Sequence, residues 1–146
     1  MGTDMNQSIS TNANAAAYGA LLLRVALGVM WIAHSLLKLL VFTLPGTAQY
    51  FQSVGYPGFL AYPVFTAEFA GGIALVLGVY ARQVALLLVP IMVCATRVHL
   101  SNGWVHTSQG GGWEYPFLIV ASVALWLLGD GALAVRRSER FALGAA

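Results

Sequence analysis

The sequence predicts an all-α membrane protein: a bundle of four transmembrane helices, with both termini cytoplasmic and a short interfacial helix in the first outer loop. Three observations carry this. The chain has 146 residues, 59% of them hydrophobic and only 8% charged, whereas soluble domains average roughly 45–50% apolar and about 25% charged. Its mean hydropathy is +0.77. The apolar residues are gathered into four runs, each near the ~20 residues that cross ~30 Å of hydrocarbon. The bilayer gives backbone groups no water to bond, so spans are helices or strands of a closed barrel. Runs this long and this uniformly apolar favour helices. The same composition excludes an ordinary soluble globule, a disordered chain and a disulfide scaffold. A net charge of +2 with no basic stripe excludes a nucleic-acid partner. Cys94 is the single cysteine, which excludes an internal disulfide, a CxxC pair and a cysteine metal cluster.

Residues 1–16 are polar, rich in Asn, Ser, Thr and Ala, with Asp4 but no Lys or Arg. They lack the basic region of a secretory signal and read as an unstructured tail before a membrane domain at 17–135. The first span covers about 18–40. The loop after it, 41–62, contains Pro45, Gly46, Gly55, Pro57 and Gly58. Within it Ala48, Phe51 and Val54 recur at helical spacing beside Tyr50, which predicts the interfacial helix. The second span covers about 63–80 and the third about 83–100, with Pro90 predicting a kink. Pro63 and Pro116 suit first helical positions, where a missing N–H costs nothing. The glycine-rich outer loop 101–113 carries Trp104 and Trp113, which suit the headgroup belt. The fourth span covers about 116–135, and residues 136–146 form a basic cytoplasmic tail. Four spans place Arg82, Arg136, Arg137 and Arg140 on one side, which the positive-inside rule makes the cytoplasm.

Ionisable groups inside a span cost at least ~2.5–3.5 kcal/mol each, so each needs a reason. Arg24 and Asp130 fall near the cytoplasmic face, where a structural pair is expected. The others fall in the outer half: His34 and Lys38 at the end of the first span, Glu68 in the second, Arg97 and His99 ending the third, Glu114 opening the fourth. Arg24, Trp31, His34 and Lys38 share one helical stripe that must face the bundle. Two readings stand side by side: buried ion pairs that fix packing, or an outward-opening polar pocket that holds a small headgroup or passes protons. His34, His99 and His106 with Glu68 or Glu114 are conceivable metal ligands, but no HxxH or HxxxH spacing joins two of them. Neither a metal nor haem is predicted. Cys94 reads as a small hydrophobe and Gly71-Gly72 as a close helix contact. The basic tail reads as a topology anchor that touches anionic lipid.

The order Leu23-Arg24, Leu27-Gly28, His34-Ser35-Leu36-Leu37-Lys38, Gly46-Thr47-Ala48, Glu68, Gly71-Gly72, Arg82, His99, Asn102-Gly103 and Gly111-Gly112-Trp113-Glu114-Tyr115-Pro116 resembles the DoxX family of four-helix bacterial membrane proteins, over roughly residues 20–135. Ser35 departs from the glycine common there. The resemblance implies the bacterial inner membrane and a polar signature of Arg24, His34, Lys38, Glu68, His99 and Glu114. It also implies a link to quinone-coupled oxidation of sulfur compounds, or to thiol and oxidative stress. A quinone would suit such a pocket. Lys38 or a histidine would donate to one carbonyl, Glu68 or Glu114 would relay protons, and Trp31, Trp104 and Trp113 would stack on the ring. With no flavin or nicotinamide fingerprint, electrons would come from a protein partner or a small reductant, so whether the chain is itself an enzyme stays open. Two other readings are carried. One is a non-enzymatic accessory or assembly subunit. The other is a small transporter or lipid-binding protein, as a homo-oligomer, whose pocket takes a small anion between Lys38 and Arg97.

Overall fold

The computed structural model describes residues 2–105, 107–113 and 115–138, with side chains from 14 onward except those of 115–117. Among the described residues there are five α-helices: α1 Gly2–Leu36, α2 Leu44–Ser53, α3 Ala61–Leu77, α4 Ala81–His99 and α5 Tyr115–Leu128. A π-helical turn, Leu37–Val41, extends α1, and a 3₁₀ turn, Gly58–Leu60, leads into α3. No strand occurs among the described residues, which hold one isolated bridge, Val79 with Arg136. The backbone of α1 is helical from Gly2, so the segment expected as an unstructured tail continues the helix.

Among the described residues, three helical segments are long and apolar enough to cross a membrane: Asn14–Val41, Gly58–Leu77 and Ala81–His99. Apolar side chains such as Leu22, Leu87, Val120 and Leu127 stand exposed on the outside of the bundle. In water such a surface would be a liability; against lipid it is the expected one. The short helix predicted from Ala48, Phe51 and Val54 is α2. Thr43 caps it by accepting a hydrogen bond from the Gly46 N–H at 3.2 Å, and Pro45 stands in its first turn.

The fourth predicted span is shorter than expected. α5 ends at Leu128 rather than near 135. Gly129 and Gly131 take positive φ, 98° and 75°, which ends the helix and turns the chain back across the bundle. The apolar run through Ala132–Val135 concealed this stop, because hydropathy counts apolar residues and not backbone conformation.

α1 packs chiefly on α3 and α4 on α5, with α3–α4 and α1–α5 contacts closing the bundle. One helical face of each is buried: Ala20, Arg24, Leu27, Trp31 and Ser35 of α1; Ala61, Glu68, Gly72 and Leu75 of α3; Ala81, Ala85, Leu88 and Met92 of α4. The α1–α3 seam is set by two glycines. A Cβ on Gly28 would lie 2.7 Å from the Gly72 carbonyl oxygen, and one on Gly72 would lie 2.9 Å from that of Gly28. Only the missing side chains allow this backbone contact.

One end of the bundle is tied by backbone carbonyls. Arg24 is buried and donates to Leu75 O, Val76 O and Ala132 O at 3.2, 3.3 and 3.1 Å. The expected Arg24–Asp130 ion pair does not form. Asp130 instead accepts from the Arg82 N–H at 3.2 Å and from the Ser138 N–H and hydroxyl at 2.6 and 2.8 Å. The reason is geometric: the turn after α5 brings a carbonyl, not the carboxylate, to the guanidinium. The residues after α5 also pair with the end of α3, through Val135 N–H to Leu77 O and Arg136 N–H to Gly78 O, both 3.1 Å. The Arg136 guanidinium covers the Tyr80 ring at 4.8 Å.

Candidate functional site

At the opposite end, Lys38 and Glu68 meet. Glu68 lies on the buried face of α3, seven residues before Leu75, about 10 Å from the Arg24 level at 1.5 Å per residue. Lys38 lies in the π-turn that extends α1. Its Nζ donates to Glu68 Oε2 at 2.6 Å; the lysine side chain is 20% exposed and the glutamate 4%. The pair therefore bridges α1 and α3, with the acid sealed and the base reaching toward the surface.

The π-turn is closed by the Phe42 N–H to Leu37 O bond at 3.0 Å, a five-residue step that widens the helix there. Buried Thr47 from α2 fills the corner. Its hydroxyl donates to Thr43 O at 2.9 Å and lies 3.5 Å from Lys38 O. Thus α2 braces the segment that aims Lys38.

His34 stands one turn below Lys38. Its Nδ1 bonds Met30 O at 2.9 Å, and since a carbonyl only accepts, Nδ1 carries the proton. The imidazole is within electrostatic reach of the Glu68 carboxylate. Buried Ser35, the residue that departs from the family pattern, donates to Ile32 O at 2.8 Å. Trp31, another turn down, is buried in the core among Leu27, Leu75, Leu88, Met92 and Leu125.

A second group of predicted residues gathers at the end of α4 and in the outer loop. His99 Nδ1 lies 3.4 Å from Asn102 Nδ2, which also donates to Gly110 O at 3.0 Å. Trp104 and Trp113 form an edge-to-face pair with centroids 4.6 Å apart, and the Trp113 N–H bonds Gly103 O at 3.0 Å. Arg97 is exposed and makes no ion pair with Glu68. It lies within electrostatic reach of Tyr56, whose hydroxyl hydrogen-bonds Cys94; that bond, with some burial, pushes the phenol above its ordinary range. Glu114 and His106 lie outside the described residues. Among the described residues, no three His, Cys, Asp or Glu side chains converge as a metal site would require.

The structure thus joins Lys38, Glu68 and His34 above Trp31, and holds His99 with the tryptophan loop as a separate cluster. Thr47 and Asn102 entered the sequence reading only within the motifs that carry the family resemblance, with no role assigned to either, and Tyr56 was missed. A polar residue in a loop or a short exposed helix costs nothing, so membrane energetics raises no signal for it.

Comparison with known proteins places this arrangement. The family model described as DoxX matches residues 19–106, which hold the π-turn, α2, α3, α4 and the Lys38–Glu68 pair. A curated Bacillus subtilis (strain 168) protein named "Putative oxidoreductase CatD" is 33% identical over 118 residues, covering 80% of this chain and 84% of that protein. No solved structure matches the chain. The chain belongs to the DoxX family.

Proposed function

We propose that this DoxX-family chain is a membrane subunit of a quinone-coupled redox system, acting in sulfur-compound oxidation or in thiol and oxidative stress. Its pocket lies in the outer leaflet and centres on Lys38 and Glu68. In this reading the chain crosses the bacterial inner membrane four times with both termini in the cytoplasm, and Arg82, Arg136 and Arg137 mark that side. The observation that carries the reading is the 2.6 Å Lys38–Glu68 pair, with one partner sealed in the bundle and the other reaching outward. Intramembrane ionisable pairs are costly, and a purely structural role has cheaper solutions in well-packed apolar residues. The name of the Bacillus subtilis relative agrees with redox work.

The chemistry follows from the residues. Reducing a quinone to a quinol takes two electrons and two protons. Lys38 can turn from Glu68 to a quinone carbonyl oxygen and stabilise charge that develops there. Glu68 can then pass a proton, with His34 one turn away as the next group. The electrons come from a protein partner or a small reductant.

A second reading is an accessory subunit that docks a partner through the outer loop. The Trp104–Trp113 pair favours it, since Trp104 stays partly exposed on a loop held in shape by Asn102.

The test is extraction of bound quinone and lipid from the protein purified in mild detergent, repeated with Glu68→Gln. Stoichiometric quinone that is lost in the folded variant supports the pocket. No quinone in either protein overturns it and favours the accessory role.

A further inference from the structure

Two hydrogen-bond donors lie buried without a partner in the core below the Lys38–Glu68 pair: Trp31 Nε1 and Ser122 Oγ. Trp31 is 6% exposed and Ser122 1%. Buried polar groups are almost always satisfied, so each such exception asks for an explanation.

Ser122 is the sharper case. A helical hydroxyl normally bonds a carbonyl three or four residues back in its own helix. Ser35, Thr47, Ser53, Thr66 and Thr96 all do so here. Ser122 has the same option and does not take it. It is buried on the helical face that also carries Leu118 and Leu125, one turn to either side.

The two donors share a layer. Ala132 bonds both Arg24 and Ala17, so the end of α5 is level with that part of α1. Ser122 lies six residues above Leu128, about 9 Å. Trp31 lies seven residues above Arg24, about 10 Å, and helical side chains lean toward the N-terminus. Trp31 also packs in the cluster that contains Leu125 and contacts Leu118, Ile119 and Ala121 of α5.

We infer that Trp31 and Ser122 form an acceptor-binding site between α1 and α5 for the carbonyl oxygen of a neutral, flat, apolar molecule. Both donors are uncharged and the surrounding wall is Leu27, Leu88, Met92 and Leu125, so an anion would lose its hydration without compensation. A neutral carbonyl gains two hydrogen bonds and its body replaces aliphatic contact. The inference rests on the reading of the pocket above: one carbonyl of the ligand meets Lys38 at the mouth and the other meets Trp31 and Ser122 at the floor.

The floor makes an opposite-signed prediction for binding and stability. Trp31→Phe and Ser122→Ala each remove one donor; Ser122→Ala does so with almost no loss of volume, whereas Trp31→Phe also leaves a small void. Calorimetric titration of the full chain in detergent with decyl-benzoquinone is expected to show each variant binding about tenfold weaker than wild type. Without ligand, Ser122→Ala is expected to melt higher than wild type, because an unsatisfied buried donor has been removed at almost no loss of packing. Wild-type affinity in both variants, with binding lost in Glu68→Gln, overturns the floor and leaves the mouth standing. No binding by any of the proteins overturns both. A lower ligand-free melting temperature for Ser122→Ala also overturns the floor, since it means that this hydroxyl is already satisfied by bound water.

Discussion

Lys38 and Glu68 differ in how deeply they are committed to the bundle, and the difference predicts how each behaves when its partner is removed. Lys38→Met leaves a sealed carboxylate facing an apolar side chain. The cost expected is about 3 kcal/mol, the low end for breaking a buried pair, because the lysine is itself partly wet. Combining Lys38→Met with Glu68→Leu removes both charges and is expected to return stability to near that of wild type while abolishing ligand binding. Chemical unfolding in detergent of the two variants checks this; equal destabilisation of the single and double variants would mean that the two residues are not coupled. At this scale the sequence was informative where membrane energetics are strict. Lys38, Glu68 and His34 stood out because charge within a span is expensive, and the structure joins them. Arg97 and His99 stood out for the same reason, yet Arg97 is exposed and His99 turns to Asn102, because a residue at a helix end can face the loop as readily as the bundle. Ser122 gave no signal and Thr47 none beyond its place in a family motif, since a hydroxyl in a helix costs little and usually bonds its own backbone.

The helices were legible in order and number, their special geometry less so. The close seam between α1 and α3 is the element-level feature with the clearest consequence. Gly28→Ala places a Cβ 2.7 Å from the Gly72 carbonyl oxygen and 2.9 Å from the Val76 nitrogen, both backbone atoms that cannot swing aside. The helices must separate, at an expected cost of about 1–3 kcal/mol. Gly19→Ala on the same helix meets nothing within 4 Å and is expected to be neutral or slightly stabilising. Melting temperatures of the two variants, measured together in detergent, decide whether the seam or generic helix propensity sets the response. The pairing of small residues at Gly71-Gly72 was visible in the sequence. The π-turn at Leu37–Val41 was not, because nothing in an apolar Leu-Lys-Leu-Leu-Val run announces one extra residue per turn. The early end of α5 was written in Gly129-Asp130-Gly131, but the apolar residues that follow masked it.

For the whole molecule, the two ends have different chemistry. One end gathers Arg24, Arg82 and Arg136 on carbonyls, on Asp130 and over Tyr80; the other holds Lys38, Glu68, His34 and the tryptophan loop. Asp130 binds three donors from Arg82 and Ser138, so it straps the chain after α5 to the start of α4. Asp130→Ala is expected to free that strap and to speed tryptic cleavage after Arg136 and Arg137 in detergent, with the helical content unchanged. The same asymmetry bears on topology. α5 has 14 residues, which span about 21 Å against ~30 Å of hydrocarbon. A helix that short crosses only if the turn after it sits within the interface, and the carbonyl-bound arginines at that end supply the polar anchor. If α5 crosses, Gln52 and Ser101 face outward and Val135 faces the cytoplasm. Single cysteines at these exposed positions, each in a Cys94→Ala background, separate the alternatives. A membrane-impermeant maleimide added to intact cells is expected to label Gln52→Cys and Ser101→Cys at once. Val135→Cys is expected to react only after the membrane is permeabilised. Labelling of Val135→Cys from outside, with Gln52→Cys and Ser101→Cys protected until the membrane is permeabilised, would mean that the bundle sits the other way round. The arginine end would then be on the outside, and an outer-leaflet pocket at Lys38 could not stand.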